Sequence, residues 1–421
     1  MFILSRRRDW PIAPTGICFD ISRIGYWKFF GFRGFGFQIS KKLLYREPMT
    51  ESSHPKIAIV ADWLTNYGGA ESVVSAFHDL FPEAPIYTTL YKPKAMRELG
   101  NLKNIHTSWL QKIPFMKHQW LLAQMPLAVE QFDLDEFDVV LSSCHSVAKG
   151  VITKPETLHL CYCHTPMRYA WESWDFESRL KKFPRILHPL IRHQIKTIRE
   201  WDYCAAQRVD EYLANSTYTQ NQIRKYYKRF SEVIYPPINT KAFKPIANPK
   251  RDYYLAVGRL VPYKKFDMIV ETFNALKKPL KIVGIGPDYK KLRAMAGPTV
   301  ELLGEVRSEQ LADLYANCNA VVFPQIEDAG IVPLESMASG RPVIAFEQGG
   351  SLDNVKEGVT GTFFKEQTIK DLTEAIQKFE KMTFDPITIR KHAEQFDTEK
   401  FKAKILEAVN DKWNNFKSSN L

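Results

Sequence analysis

Six cysteines in 421 residues are too few for a disulfide scaffold. None of them (Cys18, Cys144, Cys161, Cys163, Cys204, Cys318) is spaced C-x2-C or sits in a histidine pattern, so a zinc site is disfavoured too. Cys161 and Cys163 would share one face of a strand, which argues against a bridge between them, and free buried thiols in a reducing compartment are expected. A G-x-G-x-x-G fingerprint is also missing, since neither Gly68-Gly69 nor Gly284-Ile285-Gly286-Pro287 completes one, and this disfavours a dinucleotide redox enzyme. There is no internal repeat and no low-complexity tract. The amino-terminal leader has no apolar run long enough to span a bilayer, no signal-peptide h-region and no cleavage site.

What is present points to two α/β units. A hydrophobic content of 45% supplies two cores of ordinary domain size, and strand and helix patterns alternate throughout. The stretch Pro236-Pro237-Ile238-Asn239 to Pro249 carries four prolines and little apolar periodicity, marking a boundary. The expected division is a leader (1–48), a first doubly wound domain (49–235), a linker (236–252), a second domain (253–395) and a last helical segment (396–421). In that last segment Phe401, Ile405, Val409 and Trp413 recur at helical spacing.

The net charge is +11, and Met1 to Pro48 carries nine Lys or Arg against three acids. That leader, rich in aromatics and broken by glycines, reads as an extension upstream of a start at Met49 or as a flexible arm on a membrane surface. A second basic stretch, Arg179 to Arg199, has seven Lys or Arg and no acid. Its Leu187, Leu190, Ile191, Ile195 and Ile198 lie at helix-like spacing, either against the core with the charges in solvent or against an anionic bilayer. No nucleic-acid recognition motif accompanies the charge.

The chemistry concentrates near the carboxyl end. In PQIEDAGIVPLESMASGRPVIAF, Glu327 follows an apolar strand from Ala320 to Phe323, and Glu335 is expected in the first turn of a helix opened near Pro333 and stopped by Gly340. Gly330 would let a ligand approach backbone N–H groups closely. Taken alone, Glu335 could only complement a helix dipole and Glu327 could be a solvated loop residue. Upstream, the strand Tyr253 to Val257 runs into Gly258-Arg259 and a turn carrying Lys264, where a guanidinium and an ammonium would converge on a diphosphate, or merely face solvent. Lys265 could share the role of Lys264.

In the first half, the strand Lys56 to Ala61 leads to Gly68 and Gly69 before a helix from Ala70 to Leu80, and His164 follows the strand Leu158 to Cys163. Asp133-Leu134-Asp135 looks like a D-x-D metal site, but it precedes the strand Phe137 to Leu141 instead of following a nucleotide-binding one, so turn acids are the expectation.

VADWLTNYGGAE, HTPMRYAW, VIYPPIN, VGRLVPYKK and the E-x7-E segment occur in this order, and over roughly residues 56 to 400 the chain resembles the GT-B glycosyltransferases of family 4, most closely their mannosyltransferase-like members that build cell-surface polysaccharide. The resemblance implies two Rossmann-like domains facing a cleft and a retaining sugar transfer from a nucleotide diphosphate donor, with GDP-mannose favoured, to a glycan or lipid-linked acceptor. Arg259 and Lys264 would hold the diphosphate, Glu335 the ribose and Glu327 the donor sugar. Gly68, Gly69, Gly330, Ile331 and Val332 would line the donor site, and His164 would contact the sugar near the reacting carbon. It further implies that the last helix returns to the first domain, that no metal is required, and that the protein is cytoplasmic or peripheral at the inner face of the membrane. The family pattern usually has an aromatic after the first glutamate, where this chain has Asp328-Ala329. An epimerase or hydrolase using the same pocket, or a non-catalytic membrane scaffold, are the alternatives.

Overall fold

A computed structural model describes residues 55–419 apart from 67, 100, 101, 114–120 and 182, and Ser53–Leu421 form one compact unit. The leader lies outside the described residues.

Runs of four to six apolar residues recur between helices, the pattern of strands buried on both faces. The first sheet comprises β1 (Ile57–Ala61), β2 (Ile86–Thr88), β3 (Ile105–Thr107), β4 (Val139–Cys144), β5 (Leu158–Cys163), β6 (Glu211–Ala214) and β7 (Glu232–Val233), all parallel, in the order β3-β2-β1-β4-β5-β6-β7. Alternation along β1 sends Ile57, Ile59 and Ala61 to one core and Ala58 and Val60 to the other. The second sheet is built from β8 (Tyr254–Val257), β9 (Leu280–Val283), β10 (Val300–Gly304), β11 (Val321–Phe323), β12 (Val343–Phe346) and β13 (Gly361–Phe364), also parallel, in the order β10-β9-β8-β11-β12-β13.

Both orders reverse direction once, between β1 and β4 in the first sheet and between β8 and β11 in the second. In open parallel sheets the crevice beyond the strand ends at such a reversal is where ligands bind. Asp62 and His145 directly follow β1 and β4, and Gly258 and Pro324 follow β8 and β11.

The chain crosses between the domains twice, and the two crossings run side by side. Ile238 N–H donates to Phe396 O at 3.0 Å, and Thr398 Oγ1 donates to Ile238 O at 3.0 Å. The helix Thr398–Ser419 then lies on the first domain, burying Phe401, Ile405, Ala408 and Val409 with Val73, Val74 and Phe77, and the rings of Phe77 and Phe401 stack with centroids 6.1 Å apart.

The first domain also contains a buried polar knot. Lys149 and Asp202, both within 1% exposure, form an ion pair, and Asp202 accepts hydrogen bonds from Trp171 Nε1 (2.6 Å) and Tyr227 Oη (2.8 Å). Asp202 thereby ties the helix His188–Arg208 to three other segments. Asp133 and Asp135 form a local turn, Asp135 N–H donating to Asp133 Oδ1 at 3.3 Å.

The basic stretch divides. Ile195 and Ile198 are buried, while Leu187 and Leu190 are exposed beside Phe183 and Ile186. Leu187 falls in a 3-10 turn, Arg185–Leu187, but Leu190 lies on the same helix, His188–Arg208, as the buried Ile195 and Ile198, so the stripe divides along the helix, its first turn standing clear of the core. Of the described cysteines, Cys144, Cys161, Cys163 and Cys318 are buried free thiols, whereas Cys204 is exposed, contrary to the expectation of burial, because its position on the helix His188–Arg208 faces away from the sheet.

Candidate active site

A cavity of about 440 Å³ lies between the two switch points. Gly69, His145, His164 and Arg168 line it from the first domain, and Lys264, Glu327, Asp328, Gly330, Ile331 and Val332 from the second. Seven of the expected site residues are therefore gathered here: Gly69, His164, Lys264, Glu327, Gly330, Ile331 and Val332.

Three are not part of this lining. Gly68 stands one residue outside as the N-cap of the helix Gly69–Leu80, which starts a residue earlier than expected. Arg259 is exposed on the turn after β8, and among the described residues no carboxylate pairs with it. Glu335 is not in the first turn of its helix: the helix runs Ile331–Ala338 with Gly330 as its N-cap at φ 71°, so Glu335 is its fifth residue. There it accepts a hydrogen bond from Tyr315 Oη at 2.8 Å. The expected meeting of two acids and two cations is thus replaced by another quartet.

That quartet is Lys264, Glu327, Arg168 and Asp328. Lys264 Nζ lies 2.9 Å from Glu327 Oε1, and Arg168 Nη2 lies 2.6 Å from Asp328 Oδ2 and 3.6 Å from Glu327 Oε2. Burial raises the pKa of Asp328, and Arg168 only partly offsets it. For Arg168, burial opposes the charge, but Asp328 and Glu327 outweigh it and carry its pKa upward. The loop bearing these acids is fixed from behind: Asn354 Nδ2 donates to Gly330 O at 2.9 Å, and Gly350 N–H to Glu327 O at 2.8 Å.

On the opposite wall the two domains approach through a glycine. A Cβ on Gly69 would lie 2.4 Å from Ile331 Cδ1, so a larger residue there requires the Ile331 side chain to move.

Two histidines complete the first-domain wall, and their environments push them apart. His164 Nε2 is 2.8 Å from Ser143 Oγ, and burial, followed by the neighbouring His145, pushes its pKa down to about 3, so it is neutral at pH 7. His145 Nδ1 is 2.8 Å from Asp62 Oδ2; burial disfavours its charge, yet Asp62 raises its pKa overall. Asp62 is 1% exposed and also accepts backbone N–H donors from His145 (2.6 Å), Ser146 (3.0 Å), Val147 (2.5 Å) and Ala148 (2.6 Å). Although burial alone would raise its pKa, His145 and these donors hold it well below the ordinary carboxylate range. Sequence reasoning missed Asp62, His145 and the role of Arg168; the available signal for the first two was a polar residue immediately after an apolar strand at a sheet's reversal point.

The site can hold an anionic, hydroxyl-rich ligand. Its cations, its carboxylates and the backbone of Gly330 to Val332 supply donors and acceptors around one cavity.

Residues 237–403 match the family model for glycosyl transferases group 1. Among curated proteins, the chain is 28% identical over 251 residues to an uncharacterized glycosyltransferase of Methanocaldococcus jannaschii, covering 56% of this chain and 69% of that one. It is 29% identical over 290 residues to the alpha-1,3/1,6-mannosyltransferase ALG2 of Homo sapiens, covering 60% and 66%. The matches thus span about two thirds of these relatives' length. Among solved structures, Anabaena HepE in complex with UDP and glucose superimposes with a TM-score of 0.64 at 18% identity, covering 85% of this chain and 100% of that one. A sucrose-phosphate synthase from Thermosynechococcus elongatus gives 0.65 at 17%, covering 85% and 99%. The fold they share with this chain is GT-B, two Rossmann-like domains around a cleft.

Proposed function

We propose, from the match of residues 237–403 to the glycosyl transferases group 1, that the chain is a retaining glycosyltransferase of family 4. It moves a sugar, mannose from GDP-mannose in this reading, to a glycan or lipid-linked acceptor of cell-surface polysaccharide. The observation that carries the proposal is the convergence of Lys264, Glu327 and neutral His164 on one cavity between the two switch points.

In the reaction, the acceptor hydroxyl oxygen bonds to the anomeric carbon on the face from which the diphosphate departs. The bond from that carbon to the diphosphate oxygen breaks, and the acceptor proton passes to the departing phosphate. Lys264, with Arg259 from its exposed position on the adjoining turn, stabilises the growing negative charge, so no metal is needed. Glu327 holds hydroxyls of the donor sugar, and His164, neutral at pH 7, can donate or accept a hydrogen bond near the reacting carbon without adding a competing charge. Glu335 takes the ribose diol. Rate enhancement then rests on positioning and fixed charge.

The relatives' names support sugar transfer, mannose in the case of ALG2. A panel of nucleotide sugars tested for thermal stabilisation identifies the donor, since a selective ligand raises the unfolding temperature by mass action. Turnover with Lys264→Ala and Glu327→Ala tests the roles: transfer is expected to fall at least a hundredfold in each, a drop typical of lost charge stabilisation. Unchanged transfer in both would overturn the assignment, and donor cleavage without transfer to any acceptor would favour the hydrolase alternative.

A peripheral place at the inner membrane face is part of this reading. Phe183, Ile186 and Leu190 are exposed, Ile186 at 87%, beside Arg185, while Arg192 and Lys196 on the adjoining helix pair with Glu177 (2.7 Å) and Glu200 (2.5 Å). No helix of the described residues is long and apolar enough to cross a membrane. Flotation with acidic vesicles at low salt, lost in Ile186→Asp/Leu190→Asp, is expected; absence of flotation would remove the membrane from the account.

A further inference from the structure

At the opposite end of the second sheet, before the first residues of β8, β11 and β12, lies a separate cavity of about 230 Å³. Arg251, Asn319, Arg341 and Thr383 contribute polar groups to it. Arg341 is 2% exposed, yet among the described residues no hydrogen bond or ion pair engages its guanidinium, and its Nε is buried without a partner. A guanidinium keeps its charge in any protein environment, so it cannot relieve this by losing a proton.

The surroundings make matters worse for the cation. Burial, then the charge of Arg251, lower its pKa. Cys318, whose thiolate would favour the charge on Arg341, is a neutral thiol whose pKa burial pushes up to about 12. The one carboxylate among the described lining residues, Glu380, is held by Lys278 Nζ at 2.6 Å and by Tyr254 Oη at 2.9 Å. Arg251 itself has φ 53°, an uncommon backbone state for a residue with a side chain, fixed by its N–H donating to Asn317 O at 2.9 Å. Leaving a buried charge without its partner costs several kcal/mol, and here the buried cation is Arg341, with the exposed Arg251 as a second positive charge on the same cavity and Glu380 already engaged elsewhere.

We propose that the basal cavity framed by Arg251 and Arg341 is an anion-binding site for a phosphate group, free or carried as a small phosphate monoester. Two guanidinium forks match the oxygens of such a group. The enclosed volume is below that usual for drug-sized ligands, which favours a phosphate or small ester over a nucleotide. The site lies outside the cleft and does not depend on the chemistry proposed there.

The test is thermal unfolding of the full chain titrated with inorganic phosphate, and in a parallel arm with glucose 6-phosphate, at ionic strength held constant with chloride. Phosphate can also visit the cleft cations, so the readout is the comparison with Arg251→Ala and Arg341→Met, in which the cleft is unaltered. A saturable rise in unfolding temperature is expected in the wild type, with half-saturation weakened at least about tenfold in both variants. Arg341→Met is further expected to unfold at a higher temperature than the wild type when phosphate is absent, because an unpaired buried charge has been replaced by a packed apolar chain. The arm with the tighter half-saturation assigns the free ion or the ester. No saturation by about 50 mM phosphate or ester, or weakening of less than about tenfold in either variant, would overturn the proposal.

Discussion

Arg168 and Asp328 are 160 residues apart in sequence, and they join the two domains across the cleft with Nη2 and Oδ2 separated by 2.6 Å. Arg168 follows the β5 strand end that carries His164, and Asp328 follows Glu327. One interdomain ion pair therefore borders both the histidine and the lysine-bound carboxylate.

That geometry predicts a measurable coupling. Arg168→Gln and Asp328→Asn should each destabilise the protein, and a double-mutant cycle in urea unfolding should return an interaction of about 2 kcal/mol, since both side chains are mostly buried. A coupling near zero would mean the pair is incidental.

Glu335 gives a pH prediction for donor binding. Burial raises its carboxyl to about 7, against a smaller lowering from the Tyr315 hydrogen bond. In the proposed role a ribose diol donates to the ionised form, so on that proposal affinity for the nucleotide donor should weaken by up to about tenfold per pH unit as pH falls below that value, and level off above it. Glu335→Gln should flatten the profile, and Tyr315→Phe should move its midpoint upward; calorimetric titration at several pH values reads both.

The buried knot in the first domain sets a stability prediction. Asp202→Ala leaves Lys149 charged and unpaired inside the protein. A loss of about 3–5 kcal/mol is expected from denaturant unfolding, and the double variant Lys149→Met/Asp202→Leu should recover most of it.

Acid should destabilise the first domain partly through His159. This side chain is fully buried against Ser142, and burial, then Arg208, push its pKa down to about 3. The folded value lies below the unfolded one of 6.5, so its contribution is complete above pH 6.5 and is lost as pH falls toward 3. The slope for this group is about 1.4 kcal/mol per pH unit. Unfolding free energies between pH 6 and 4 should show a shallower slope in His159→Asn than in the wild type; equal slopes would mean His159 does not titrate on unfolding.

Much of this architecture was legible because it is local. The apolar runs at Ile57–Ala61 and Val321–Phe323 read as strands, and residues placed just after a strand in a parallel sheet fall at its carboxyl edge, which located Lys264, Glu327 and His164. What escaped was pairing at long range. Nothing in the spacing joins Asp62 to His145, 83 positions on, or Arg168 to Asp328, because such contacts depend on which strands become neighbours. The position of Glu335 was misjudged by a turn because Pro333 suggested the helix start, whereas Gly330 in the left-handed region caps it earlier. Arg259 and Lys264 are close in sequence, but the turn between them sends only one into the cavity.

The return of the helix Thr398–Ser419 to the first domain has a consequence for how the molecule is made. During synthesis the first domain emerges early, but the patch around Phe77 stays wet until Phe401 and its neighbours have left the ribosome. Its maturation must wait for the second domain to be translated, so the early half spends that interval with a sticky flank that a chaperone could shield.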